Sequence, residues 1–291
     1  MGGVMVKLPT SAGENMQTIL IALNGCDFAH LQSLTLRFCS KHEPPPWTMD
    51  TSPLMNLLSQ NPSLRYVSLE LPTRAATVTE GLGRLPQLNT LVTRRWKDSE
   101  NTNTVTVGAP GSLDGLFPSL CNISSDYVPT AWRILSYAPT HLITSLDFTS
   151  SSVEVHELLD RIQPCSSLKS LNIGPRTEYP PPGGGLRQIT LSFKPILGCT
   201  AMENFRIFTQ RVVPANDDDL AVISAAWKSL TTFSWFSTPR PMPQATMTEL
   251  KSLSANCRKL QRLFIPMQVG PELVIYRPYR PFCDGIMLDV R

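Results

Sequence analysis

Charge of one sign is what this chain most lacks. Its 26 Lys and Arg stand against 23 Asp and Glu, leaving +3, and no five like charges stand together. Nucleic-acid binders concentrate Lys and Arg on one face, so nucleic acid is not expected as a partner. Long apolar runs are missing too. The longest aliphatic run, ILIAL (19–23), falls far short of the roughly 20 residues that span a bilayer, so no membrane segment is expected. The opening MGGVMVKLP has no apolar signal-peptide core, and position 6 lacks the Ser or Thr that myristoylation of Gly2 requires. The expected location is intracellular, cytoplasmic or nuclear. No CxxC pair occurs, and seven cysteines in a chain without an export signal argue for reduced thiols. Histidine is rare: His30, His42, His141 and His156 make no pattern with a nucleophile, and no GxSxG elbow exists. PPPGGG (180–185) lacks the Lys-Ser/Thr of a phosphate loop. The sequence therefore points away from an enzyme, and neither metal nor cofactor is expected.

What is present is proline and a phrase. The 26 prolines exceed a usual share of about 5% and fall mostly in short connections, where they stop one element before the next begins. The phrase is apolar, two variable, apolar, one variable, apolar. Nine copies open at Leu31, Leu64, Leu88, Leu120, Ile143, Leu168, Met202, Leu230 and Leu260, spaced 33, 24, 32, 23, 25, 34, 28 and 30 residues apart. Thr93 and Ser125 break the sixth position. The fourth and sixth positions share one face of an extended strand, because side chains alternate. One such strand cannot bury that face alone, so the copies must stack side by side.

Helix signals separate the copies. Thr77–Glu80, Ser151–Glu154 and Thr246–Glu249 have capping-box spacing, and Ser52–Pro53 puts a capping residue before a proline. ANDDDLAVISAAW (215–227) places three acids in a first turn, favourable against the helix dipole, and VHELLDRI (155–162) carries apolar residues at helical spacing. Thr190–Gly198 reads as the helix leading to Met202. Strand and helix alternating at this period predict an α/β leucine-rich-repeat solenoid, horseshoe-like, with a parallel sheet inside and helices outside.

LQSLTLRFC (31–39) matches LxxLxLxxC fully, and the irregular copies resemble the repeat arm of F-box/leucine-rich-repeat proteins of the fungal type. Elsewhere the Cys39 position holds Pro72, Trp96, Ser151, Arg176, Gln210, Thr238 or Gln268, so an uneven arc without a regular ladder is expected. The resemblance implies a protein partner on the concave face and, for the F-box kind, target recognition for a ubiquitin ligase. Leu8-Pro9 is followed by TSAGENMQTIL, which departs from the F-box pattern. The organisation expected is a partial repeat or cap over 1–27, the solenoid over 28–268 and a divergent tail or cap over 269–291. One alternative is a truncated relative without independent function. Another is a metal-dependent enzyme using His156 and nearby acids.

The weighing of sites favours binding. Cys165, Cys199 and Cys257 stand three residues before an opening residue, a register shared by Phe28, Leu85, Phe117 and Trp227, which marks a core position. HELLD (156–160) has Asp160 where a zinc motif needs a second histidine. Asp217, Asp218 and Asp219 point in different directions on a helix, which favours capping over a cation site. Third, fifth and seventh positions face outward along the inner arc. They are small and polar in most copies, but Arg206, Phe208, Phe236, Arg262 and Phe264 break that character near the C-terminus. These five are the partner-binding residues the sequence suggests. The rival expectation has ELVIYRPYRPF (272–282) folding back over the rings as a cap.

Overall fold

The computed structural model describes residues 2–8, 13–26, 28, 30–38, 50–70, 75–94, 115–150, 152–162, 165–175, 192–210, 216–238, 245–265 and 286–289. The chain divides into two compact units, Met1–Ile143 and Thr144–Arg291. In the first, β1 (Gly2–Leu8), β2 (Leu31–Phe38), β3 (Tyr66–Glu70), β4 (Thr90–Arg94) and β5 (Asn122–Ser125) pair in sequence order, every pair parallel. In the second, β6 (Ser145–Ser150), β7 (Ser170–Pro175), β8 (Asn204–Gln210), β9 (Thr232–Thr238) and β10 (Arg262–Ile265) do the same. There β11 (Ile286–Asp289) adds to β10 in the antiparallel sense.

Each of the nine openings proves to be the last residue of a turn. Its N–H donates to the carbonyl three residues back, at 2.9–3.4 Å in all nine copies: Leu64 to Asn61, Leu88 to Leu85, Leu120 to Phe117, Leu260 to Cys257 and so on. Pro62, Pro86 and Pro118 occupy the second turn residue, where a fixed φ favours the bend and no N–H is needed. That places part of the proline excess. The next two N–H groups then reach the preceding copy. Asn89 and Thr90 both donate to the Arg65 carbonyl at 2.9 and 3.0 Å, and Glu203 and Asn204 to that of Lys169 at 2.7 and 2.8 Å. Turn, cross-link and strand thus recur as one unit, and the phrase recurs because each copy supplies one strand.

The fourth and sixth positions are buried as alternation requires. Leu34, Leu36, Val67, Leu69, Leu146, Phe148, Leu171, Ile173, Phe205, Ile207, Phe233, Trp235, Leu263 and Ile265 all lie in the core. Each such side chain contributes about 1.5–3 kcal/mol of apolar burial. In the second unit the core turns aromatic: Phe193 meets Trp235 edge-on at 4.5 Å between centroids, and Phe205 stacks on Phe233 at 5.6 Å.

Between strands lie α1 (Gly13–Asn24), α2 (Ser52–Gln60), α3 (Ala75–Gly83) and α4 (Val128–Tyr137) in the first unit. The second has α5 (Ser152–Ile162), α6 (Asp217–Ala226) and α7 (Met247–Asn256). Val155, Leu158, Leu159 and Ile162 bury one face of α5, as their spacing predicts. Among the described residues no helix is long and apolar enough to cross a membrane.

Several helix starts differ from expectation. Thr77 lies inside α3, not at its cap. Ser52 is the first helical residue of α2, and its N–H is met by Asp50 Oδ1 at 2.9 Å, so the carboxylate two residues earlier takes the capping work. Those bonds from Ser52 hold the Asp50 carboxyl below its ordinary value. Thr246 does stand at the N-cap of α7, but its hydroxyl donates to Asp217 Oδ2 at 2.8 Å instead of closing a box. The reciprocal capping box that forms is Asn216 with Asp219. Over Thr190–Gly198, the described part from 192 holds only a single 3-10 turn, Lys194–Ile196. Pro195 supplies no N–H there, and too few residues precede Cys199 to propagate a helix. Ser151 lies outside the described residues.

Candidate functional site

The strand face opposite the core carries the third, fifth and seventh positions, and register aligns them into rows. In the second unit the fifth-position row runs Asp147, Asn172, Arg206, Ser234, Phe264. It passes from carboxylate through amide, guanidinium and hydroxyl to an aromatic ring. Asn172 Nδ2 donates to Asp147 Oδ1 at 2.6 Å, which fixes the polar end. The third-position row runs Ser145, Ser170, Asn204, Thr232, Arg262. The seventh position pairs Phe208 with Phe236 across β8 and β9.

Register therefore brings the five candidates onto three adjoining strands. Arg206 and Arg262 are exposed, Phe264 is half-buried, and Phe208 keeps 40% of its surface exposed. Phe236 stands in register with Phe208, as its position in the phrase predicts; its side chain lies outside the described set. Phe264 does not join the Phe208–Phe236 row. It sits one pleat earlier, beside Ser234 in the Arg206 row. Strand spacing and a two-residue offset along the strands put the backbones of Arg206 and Arg262 about 12 Å apart across β9. An exposed ring two residues from a guanidinium group on one strand face is a binding arrangement: rings supply desolvation, guanidinium groups directed bonds to carboxylates.

Cys165, Cys199 and Cys257 are buried, as their register predicts. Burial pushes the Cys165 thiol up to about 12, with Cys199 nearby adding to it. Burial likewise pushes Cys199 up to about 11, and it raises Cys257 as well. Thiols held protonated are poor nucleophiles and poor metal ligands. Among the described residues no three His, Cys, Asp or Glu side chains converge as a metal site would need. The carboxylates of Asp217 and Asp219 are engaged at helix starts, accepting from the N–H groups of Thr246 and Asn216. The side chain of His156 on α5 and the segment 272–282 lie outside the described set; of the positions aligned with Cys39, Gln210 and Thr238 end β8 and β9.

Two strands, one in each unit, escaped the sequence reading. The first is β1, whose Gly3, Met5 and Lys7 extend the outward rows next to Ser33, Thr35 and Arg37. Its signal was available, since MGGVMV carries apolar residues at the phrase's first, fourth and sixth positions. Met5 is 61% exposed. The second is β11, which sets Met287 opposite Phe264 and Asp289 opposite Arg262 in backbone register. Four residues, IMLD, gave little periodicity to read. No family model matches the chain, and no curated protein matches it.

Proposed function

We propose that the open face of the second unit binds another protein without chemistry, with Phe208 as apolar anchor and Arg206 and Arg262 as charged contacts. In this reading the repeat is a leucine-rich-repeat solenoid whose curvature makes that face concave. The observation that carries it is Phe208, 40% exposed and in register with Phe236, on the strand face that also carries Arg206 and Arg262. Interface hot spots favour aromatic and Arg residues of this kind. The role that the sequence resemblance suggests is target recognition in an intracellular ubiquitin-ligase adaptor of the F-box type. It rests on LQSLTLRFC and the irregular repeat alone.

The test compares proteins captured by the tagged chain with those captured by Phe208→Glu, Phe236→Glu and by Arg206→Glu. Circular dichroism establishes that each variant is folded. A protein bound by wild type and lost from the folded variants supports the surface, and a ligase subunit among the captured proteins supports the adaptor role. Identical capture by all three removes the proposed site. Unfolding of the phenylalanine double variant alone assigns the rings to the core.

A further inference from the structure

In the first unit a recess of about 600 Å³ opens at the start of β3 and β4, lined by Arg65, Tyr66, Gln87, Asn89, Thr90 and Ser119. Arg65, Gln87 and Asn89 belong to the stretch from turn to strand, outside the rows considered above. Among the described residues no carboxylate lines it, and Arg65 brings one fixed positive charge.

Internal hydrogen bonds decide what the recess offers. Asn122 Nδ2 donates to Asn89 Oδ1 at 3.0 Å and to Thr90 Oγ1 at 3.1 Å, and Thr90 Oγ1 donates to Asn89 Oδ1 at 3.1 Å. The Asn89 oxygen is thereby occupied twice, which leaves its NH₂ as the group still to be used. Arg65 Nε donates to Gln87 Oε1 at 3.4 Å, which turns that oxygen toward the guanidinium and leaves the Gln87 NH₂ and the two terminal guanidinium nitrogens. Ser119 commits its proton to the Pro86 carbonyl at 2.7 Å. The Asn89 oxygen is satisfied from within, and the unspent nitrogens of the two amides and the guanidinium are donors.

From this polarity we infer that the recess accepts a carboxylate carried by an acidic, extended segment of a partner protein. One guanidinium matches one monoanion and can grip its two oxygens together, with the Asn89 and Gln87 amides completing the set. The inference does not depend on the aromatic patch, which uses other residues in the other unit.

The decisive variant is Asn89→Asp. It keeps an oxygen for Asn122 and Thr90, so the internal network survives, yet it replaces the presented NH₂ with a charged acceptor. The experiment titrates the isotope-labelled full chain with an acetylated Gly-Glu-Gly-Glu-Gly amide, its Gln counterpart and inorganic phosphate, following the side-chain amide resonances of Asn89 and Gln87. Saturable shifts are expected with the Glu peptide and not with the Gln peptide. They should weaken roughly fivefold in Arg65→Gln, the order of an exposed charge pair, and vanish in Asn89→Asp and in Gln87→Glu. Either variant serves if the other is unfolded. Equal response to both peptides, no response to either, or an undiminished response in a folded Asn89→Asp overturns the inference. A response to phosphate alone overturns its assignment to a carboxylate-bearing segment.

Discussion

Thr93 and Ser125 stand where the repeat otherwise keeps a large apolar side chain, and both are almost wholly buried. They occupy neighbouring strands in direct register, and Thr93 Oγ1 donates to Ser125 Oγ at 2.9 Å. Ser125 in turn donates to the Tyr127 carbonyl at 3.0 Å and accepts from its N–H at 3.2 Å. The two exceptions to the phrase satisfy each other, since an unanswered buried hydroxyl costs about 1–3 kcal/mol. Thr93→Val should therefore cost under about 1 kcal/mol, because Ser125 keeps both bonds to Tyr127. Ser125→Ala should cost about 1–3 kcal/mol, because Thr93 and the Tyr127 N–H lose their partner together. In the Thr93→Val background the same change should cost about 1 kcal/mol less. Urea unfolding of the three variants measures the coupling, and strict additivity would contradict it. Both residues were visible in the sequence as departures from the phrase. That they departed as a pair was not, because the register that joins them spans 32 residues. Burial explains another residue with unusual geometry: Phe117, wholly buried, holds φ 60°. Packing there outweighs the preference of bulky side chains for negative φ.

At the level of elements, the strands were legible and the helix starts less so. Strand positions follow from alternation, which a single segment reveals; all nine openings precede a strand, and the three acids of ANDDDL do open α6. Which group caps a helix depends on what the next copy brings alongside. Asp217, in the first turn of α6, receives the N–H and hydroxyl of Thr246 at 2.7 and 2.8 Å, tying two helix starts that lie 29 residues apart. Local spacing put Thr246 at its cap and could not supply that partner. The candidate site divides in the same way. Outward positions were readable from the period, including the fifth position of Phe264 and the seventh of Phe208 and Phe236, whereas the pairing of β11 with β10 required the structure. Asp219 makes the start of α6 sensitive to pH. Its burial raises the carboxyl above 3.8, Asp218 adds to this, and the Asn216 N–H opposes it. A raised native value means that the folded chain binds more protons than the unfolded one in the window just above pH 3.8, so this residue's contribution falls as pH rises through it. Asp219→Asn retains an oxygen for the Asn216 N–H and should flatten that decline. Urea midpoints recorded on both sides of the window test it, and an unchanged slope would locate the effect elsewhere.

On the scale of the whole molecule, hydrogen bonding is between neighbours. Within each unit every strand bonds to the strands before and after it in sequence, and stability in such arrays is a sum of local terms and nearest-neighbour interfaces. Leu171 is wholly buried in β7. Its replacement by alanine should cost about 2–5 kcal/mol. The loss of amide protection should concentrate in β6, β7 and β8, with β2, β3 and β4 little changed. Hydrogen exchange followed by mass spectrometry reads this directly, and uniform loss would point to all-or-none unfolding. The reversed direction of β11 bears on growth of a different kind. Strands β6 to β10 share one polarity, a pattern that translation alone could prolong from molecule to molecule, as a crystal row grows by adding like to like. The backward strand is a stacking fault in that row. A second copy approaching along β11 with the polarity of the sheet would pair with it antiparallel, so the parallel ladder cannot be continued there by translation alone.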